Sequence, residues 1–185
     1  MAEEFNHELL CVLSGFGGQG LLFAGKVMAN TGLLDGRHVS WMPSYGPEMR
    51  GGTANCSVIL SDAQVGSPIV GHPDILIAMN LPSLDKYENE APAGASIFVD
   101  SSLVNRKVRR TDVNAYYIPA TQISNDQGYQ TLANMILMGH VIAKTGVIPQ
   151  DMIAPAMKKV VSARHADLLD KNIEAVRLGI DYKEE

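Results

Sequence analysis

The sequence predicts a three-layer, Rossmann-like α/β domain with a mainly parallel sheet and a helical C-terminal segment. Near the N-terminus, a glycine-rich turn joins an apolar run of strand length to a longer helical pattern. The continuous apolar run at 75–79 is typical of a strand that helices cover on both faces, and residues 97–100 predict another buried strand, which ends at Asp100. Strands alternate with short helices early in the chain, and helical patterns follow late.

The first part of the chain predicts three strands, with one helix between the first and the second. Apolar residues predict a strand at Leu9 to Leu13 and a helix from Gly20 to about Gly32. Val39 and Trp41 lie on one face of a second strand at His38 to Met42. Thr53 to Leu60 alternates with the period of a half-buried third strand.

The second half predicts three more strands and four helices. The strands are expected at Ile75 to Met79, Ile97 to Asp100 and Val113 to Ile118. The helices are expected at Pro82 to Asn89, Gln130 to Lys144, Pro149 to Val160 and Asp167 to Leu178, the last stopped by Gly179. Met135 and Met138 are interpreted as core residues.

The glycine turn is the first candidate site. Gly15, Gly17 and Gly20 have the Gly-x-Gly-x-x-Gly spacing, which permits a sharp turn and a close approach to a ligand. Such a turn directs backbone N–H groups and the positive end of a helix dipole outward. We therefore expect it to receive an anion or a polar group of a partner.

The glycines in and after this turn partly match two kinds of nucleotide site, a dinucleotide site and a phosphate loop. A dinucleotide site needs an acidic residue at the end of the second strand, whereas Asp35 precedes that strand. A phosphate loop at Gly20, Gly25 and Lys26 would need Ser or Thr next, and Val27 stands there. The phosphate loop is rejected and the dinucleotide site is disfavoured.

Composition excludes several classes of protein. The 185 residues suit one domain, and 46% apolar residues can form a substantial core. A net charge of −5 argues against nucleic acid or anionic lipid as the main partner. The acidic N-terminus lacks the pattern of a secretory signal, and the uncharged stretch Leu9 to Gly25 contains five glycines and is too short to span a membrane. A cytoplasmic protein is expected.

The chain is poor in catalytic chemistry. Cys11 and Cys56 fall within predicted strands and are expected to be buried, reduced thiols, too few for an iron–sulfur cluster. The five histidines show no metal-ligand spacing. No catalytic and no metal-binding residue is assigned, so the chain is interpreted as part of an enzyme.

A loop rich in glycine and proline, Pro43 to Gly52, is the second candidate site. It holds aromatic, Met and Arg residues of the kind enriched at interfaces, and Arg50 is the foremost candidate. Its predicted contact residues are Tyr45, Glu48, Arg50, Gly51 and Gly52.

Two further polar features have ordinary structural interpretations. Asp100 ends a predicted strand and is expected to cap a turn, although ligands also bind at such strand ends. Four basic residues lie within Asn105 to Arg110 and predict a solvated loop, or a surface that steers an acidic electron carrier.

Five segments together resemble the gamma subunit of the 2-oxoacid:ferredoxin oxidoreductases, the group of pyruvate, 2-oxoisovalerate and 2-oxoglutarate enzymes. They follow in order over nearly the full chain. These segments are Gly15 to Gly20, Ser44 to Gly52, Pro73 to Met79, Asn134 to Gly139 and Lys171 to Ala175.

The resemblance implies one gamma-type domain over residues 1–185, within a complex that converts a 2-oxoacid to its acyl-coenzyme A and passes electrons to ferredoxin. It implies thiamine diphosphate between alpha and beta subunits, with iron–sulfur clusters on other subunits, including a ferredoxin-like delta subunit. This chain alone would bind no cofactor and would be inactive. The predicted contact face near the coenzyme A route comprises Gly15, Gly17, Gly18, Gln19 and Gly20 together with the second loop.

Other functions remain open at this point. The glycine spacing alone permits a stand-alone nucleotide-binding oxidoreductase, and a non-enzymatic adaptor would associate without affecting turnover. The smaller subunit of indolepyruvate ferredoxin oxidoreductase is a near relative within the family.

Overall fold

A six-stranded sheet organises the molecule. The computed structural model describes residues 8–44, 54–129, 131–161 and 167–184. The strands, in chain order, are β1 (Glu8–Gly15), β2 (His38–Ser44), β3 (Ala54–Ser61), β4 (Ile75–Ala78), β5 (Ser96–Asp100) and β6 (Asn114–Ile118). Their spatial order is β2-β3-β1-β4-β5-β6.

The sheet is mainly parallel, which confirms the predicted class. Strands β1, β4, β5 and β6 pair in parallel, while β3 runs antiparallel to both β1 and β2. Only β3 therefore runs against the common direction.

In the part of the chain that the structure describes, six α-helices cover the sheet. They are α1 (Leu21–Leu34), α2 (Leu81–Tyr87), α3 (Ala120–Asp126), α4 (Ala133–Thr145), α5 (Ile153–Val160) and α6 (Asp167–Asp181). A short 3₁₀ turn, Gln150–Met152, precedes α5. Within the described residues, no helix is long and apolar enough to cross a membrane.

The two faces of the sheet bury separate cores. On the first face, Leu13 and Phe98 pack with residues of α1, α4, α5 and α6, such as Met28 and Met135. On the second face, Val12 lies in a smaller core that includes Leu84 of α2. Successive strand residues point to opposite faces, so β1 contributes to both cores and joins the three layers.

Two helices extend past glycines that were predicted to end them. Helix α1 continues beyond Gly32 to Leu34, and α6 continues beyond Gly179 to Asp181. A Cβ at Gly32 would lie 2.5 Å from Leu60 Cδ2, so this glycine serves close packing rather than helix termination. Helix α3 was not predicted, and β3 is almost entirely buried rather than half-buried.

Helices α4 and α6 cross at two glycines. A Cβ at Gly139 would lie 2.9 Å from the carbonyl carbon of Val176 and 3.0 Å from the backbone nitrogen of Ile180. A Cβ at Gly179 would lie 2.8 Å from the carbonyl carbon of Ile136 and 2.9 Å from the backbone nitrogen of His140. The two backbones are therefore in direct contact, which requires glycine at both positions.

The predicted basic run is partly neutralised by its own chain. Arg106 contacts Asp85 at 2.5 Å and Glu88 at 2.7 Å, and the Arg109 backbone N–H also donates to Glu88. Arg110 pairs with Asp112 at 2.6 Å, and Lys107 lies 3.8 Å from the centre of the Tyr117 ring. The segment is therefore attached to α2 and β6.

Both cysteines are buried and free, as predicted. Burial raises the pKa of the Cys56 thiol to about 12 and raises that of Cys11 as well. Because the thiolate is the reactive form, we expect neither thiol of the folded chain to react with a disulfide reagent at pH 8, and both to react after denaturation. Rapid labelling of the folded chain would contradict this expectation.

The raised thiol pKa also makes the free energy of unfolding depend on pH. The contribution of the two protonated thiols to that free energy should be fully present below the unfolded thiol pKa of about 8.5, and it should be lost as pH rises toward 12.

Candidate functional site

The glycine turn connects β1 to α1 at the carboxyl end of the parallel strands. Gly18 and Gly20 have φ values of 90° and 74°, which lie in a region of backbone conformation that residues with a Cβ atom rarely adopt. Gly20 is also the N-cap of α1 and makes no side-chain capping hydrogen bond. The turn thus has the predicted strand–turn–helix form.

Gln19 closes this turn from within. Its Oε1 accepts a hydrogen bond from the Phe16 N–H at 2.5 Å, and its Nε2 donates to the Met79 carbonyl at 3.2 Å. The first N–H of the turn, which was expected to face a ligand, is therefore bonded to the chain's own side chain.

The contact with Met79 lies at the topological switch point of the sheet. Adjacent parallel strands β1 and β4 lead to helices on opposite faces, α1 on the first and α2 on the second. The crevice between such strand ends is where open α/β sheets bind ligands. Here the Gln19 side chain bridges that crevice.

Helix α4 holds the other end of the turn. Asn134 Nδ2 donates to the Gly20 carbonyl at 2.8 Å, and a Cβ at Gly20 would lie 2.5 Å from the same nitrogen. Gly20 therefore permits a close contact within the chain as well as a left-handed backbone. No property of Asn134 in the sequence marks it as a contact of the turn, apart from its place in the resembling segment Asn134 to Gly139.

The closure by Gln19 makes a testable prediction about Gly15. A Cβ at Gly15 would overlap Gln19 Oε1 and lie 3.0 Å from Met79 Cβ, so we expect Gly15→Ala to cost about 2 kcal/mol of unfolding free energy. In a Gln19→Ala background the principal clash is absent, and the cost should fall by about 1 kcal/mol. Denaturant unfolding of the four chains measures this coupling. A Gln150→Ala background, at the end of α4 opposite to the one that contacts the turn, should leave the cost unchanged. Full additivity with Gln19→Ala would refute the assignment.

Asp35 is not placed to bind a ribose. It is the C-cap of α1, is exposed, and pairs with Arg37 at 3.0 Å. A dinucleotide fingerprint places its carboxylate at the end of the second strand. The position of Asp35, before β2, agrees with the sequence analysis.

Pro43 and Ser44, which were predicted to begin the second candidate loop, belong instead to β2, where they pair with Cys56 and Asn55 of β3. The rest of the loop lies outside the described residues, with Tyr45, Glu48, Arg50, Gly51 and Gly52 all among residues 45–53. The residues on either side of that segment are described. Ser44 pairs with Asn55, which pairs in turn with Ser14, and Ala54 pairs with Gly15. The described residues that flank this segment, Ser44 and Ala54, therefore lie at the end of the sheet that carries the glycine turn.

Exposed apolar side chains gather around the turn. Phe16, Leu103 and Leu168 are 46%, 42% and 40% exposed. Each lines a different cavity, and Gly18 lies in the wall of all three cavities. We call the surface formed by residues 16–20 with these three side chains the end face.

The remaining polar candidates have structural partners within the described residues. The Asp100 carboxylate accepts from the Ser102 N–H at 3.0 Å and from the Thr121 hydroxyl at 2.6 Å, which confirms its capping role. No group of three or more His, Cys, Asp or Glu side chains able to hold a metal occurs in the described ranges. Two buried thiols in neighbouring strands do not fit an iron–sulfur cluster, which needs four accessible thiolates.

Comparison with known proteins relates this geometry to one family. Residues 11–182 match the family model described as pyruvate ferredoxin/flavodoxin oxidoreductase. The chain is 35% identical to ketoisovalerate oxidoreductase subunit VorA of Methanothermobacter thermautotrophicus over 96% of its own length, but spans only 37% of that protein. It is 31% identical to 2-oxoglutarate synthase subunit KorC of Methanocaldococcus jannaschii, covering 94% of this chain and 92% of that subunit.

A solved structure has the same fold. The gamma subunit of a keto/oxoacid ferredoxin oxidoreductase from Geobacter sulfurreducens superposes with a TM-score of 0.80 at 31% identity, covering 94% of this chain and 96% of that one. The likeness therefore extends over nearly the whole of both chains.

Proposed function

Because the chain belongs to the pyruvate ferredoxin/flavodoxin oxidoreductase family, we propose that it is the gamma subunit of a 2-oxoacid:ferredoxin oxidoreductase and docks on the catalytic subunits through its end face. The complex would oxidatively decarboxylate a 2-oxoacid to its acyl-coenzyme A and pass electrons to ferredoxin. Thiamine diphosphate and the iron–sulfur clusters would be held by alpha, beta and delta subunits. This chain would contribute residues 1–185 as one domain of a cytoplasmic assembly, where its free thiols stay reduced.

The end face is the observation that best supports docking. Three large, exposed apolar side chains line three cavities, and Gly18 lies in the wall of each cavity. Exposed apolar patches on a protein surface often mark sites of interaction with a partner. Phe16 can act as an aromatic anchor in a partner's pocket. The ends of the 45–53 segment lie beside the same turn, which supports a common face for both predicted loops.

Arg50 is proposed to pair with a carboxylate or phosphate at this interface, near the coenzyme A route. An arginine guanidinium forms two parallel hydrogen bonds with either group. Gln19, bonded to Phe16 and Met79, would hold the turn in the shape that the partner meets.

Arg50→Ala tests this proposal in the assembled complex. We expect a loss of assembly if Arg50 meets a subunit, or intact assembly with an apparent requirement for coenzyme A raised about tenfold or more if it meets that ligand, since a charged hydrogen bond contributes about 1.5–3 kcal/mol. Co-purification and turnover against coenzyme A concentration separate the two outcomes.

Arg37→Ala is the matched control for Arg50→Ala, because Arg37 lies beyond the far end of α1, about 20 Å along the helix from the turn. The control should assemble and turn over normally. An Arg50→Ala complex that is fully assembled and fully active would overturn the proposed role.

The alternative of a stand-alone nucleotide-binding oxidoreductase makes an opposite prediction. A nicotinamide or flavin cofactor at 100 times its dissociation constant would stabilise the isolated chain by about 2.7 kcal/mol. We expect no melting shift, because Gln19 already occupies the first N–H of the turn. A cofactor-dependent shift in the melting temperature of the isolated chain would favour the alternative.

A further inference from the structure

The residues that follow α6 cross to one edge of the sheet. Strand β6 is the last strand in the spatial order, so one of its sides faces away from β5. On that side, the backbone N–H of Tyr117 donates to Glu184 Oε1 at 3.3 Å. We call residues 182–184 the strap. An uncovered edge of a sheet is a template for pairing with another strand, and here a side chain of the strap receives the edge N–H instead.

A buried histidine supplies a second donor to the strap. His140 of α4 is fully buried, and its Nε2 lies 2.9 Å from Glu184 Oε1. Because an ionised carboxylate can only accept, the His140 ring must carry a proton on Nε2. Three aromatic rings pack edge-on against this imidazole and fix its orientation, with centroid distances of 5.9, 6.2 and 5.5 Å to Phe98, Tyr116 and Tyr182.

Three donors therefore converge on one carboxylate oxygen. Lys144 Nζ lies 3.9 Å from the same Glu184 oxygen and adds a positive charge to the site. Without Glu184, the fully buried His140 would lose the acceptor of its Nε2 proton, which is costly. The Glu184 side chain is itself 31% exposed, so it covers these donors from the solvent side. Removing that side chain opens the donors to a small anion.

We propose that His140, the Tyr117 N–H and Lys144 form a carboxylate-binding site, that Glu184 is its ligand from within the chain, and that this contact fastens the strap over the β6 edge. A carboxylate suits the site better than a neutral amide because all three groups donate and one of them is a cation. When the Glu184 side chain is absent, an external carboxylate such as acetate takes its place.

Acetate tests the site in the full chain with Glu184→Ala at pH 7. We expect the Tyr117 amide proton of this variant to exchange about tenfold faster than in the parent chain, because its acceptor is gone. Acetate should bind the variant with a dissociation constant on the order of 0.1 M and shift the His140 ring resonances. Sodium acetate at about 0.3 M should then slow the exchange about fourfold, while sodium chloride of equal ionic strength should not. The parent chain should not respond to acetate.

Glu174→Ala is the matched control, because it removes an exposed carboxylate of α6 that pairs only loosely with Arg177, at 3.7 Å. Its Tyr117 amide should exchange as in the parent chain. Equal exchange in the parent and Glu184→Ala chains, or equal effects of acetate and chloride on Glu184→Ala, would overturn the proposal.

One measurement needs no variant and so does not depend on how Glu184→Ala folds. The ring nitrogen resonances of His140 in the parent chain should show a proton on Nε2. A proton on Nδ1 alone would overturn the proposal as well. None of these outcomes bears on subunit docking, which is assigned to the end face.

Discussion

Replacing Gly139 with alanine should destabilise the protein by at least about 3 kcal/mol, and Gly179→Ala should do the same. Alanine favours a helix over glycine by about 1 kcal/mol, so helix propensity alone predicts a gain. The added Cβ of either variant, however, would meet backbone atoms of the facing helix at 3.0 Å or less. Backbone atoms cannot rotate away, so α4 and α6 must separate and lose their shared packing.

Denaturant unfolding measures this loss, and hydrogen exchange should place the earliest opening in α6. Gly71→Ala is the matched control, because a Cβ there would meet nothing within 4 Å. Its stability should stay within about 0.5 kcal/mol of the parent chain. A Gly139→Ala chain that is as stable as the Gly71→Ala chain would show that the two helices do not cross as described.

Glu88→Gln should cost about 3 kcal/mol. The Glu88 side chain is 4% exposed and binds both the Arg106 guanidinium, at 2.7 Å, and the Arg109 backbone N–H. Glutamine keeps the shape but removes the buried carboxylate of the site, and it leaves the Arg106 guanidinium with only the half-exposed carboxylate of Asp85. The segment between β5 and β6 should then detach from α2.

Asp85→Asn removes the other carboxylate on the same arginine and serves as the control. Its side chain is 49% exposed, so the expected loss is below about 1 kcal/mol. Thermal unfolding in low and high salt distinguishes the two sites, since added salt screens the exposed pair far more than the buried one. Equal losses for both variants would contradict the buried role of Glu88.

Hydrophobic patterning predicted the strands and most helices, because the spacing of apolar residues within each element reflects which of its faces is buried. It failed where distant contacts decide the structure. Glycine within a helical pattern was taken as a helix end, but Gly32 and Gly179 are inside helices, at contacts with Leu60 and α4. The reversed direction of β3 has no local signal, because antiparallel pairing is set by the partner strands.

The glycine turn shows the same limit at the candidate site. Its strand–turn–helix form followed from spacing, but its outward N–H groups did not, because Gln19 bonds to Phe16 and to Met79, a residue 60 positions away. Asn134 is 114 positions from Gly20 and makes the contact that holds the other end of the turn. Separations of this size cannot be inferred from a local motif.

The core on the first face joins Leu9 of β1 to Val176 of α6. During synthesis on the ribosome, the six strands are complete at Ile118, while the helix that finishes this core ends only at Asp181. Until α6 has been made, the growing chain therefore exposes apolar surface of this core, and such exposure makes partly folded chains prone to aggregate. We therefore expect the first core to close only after α6 has been synthesised.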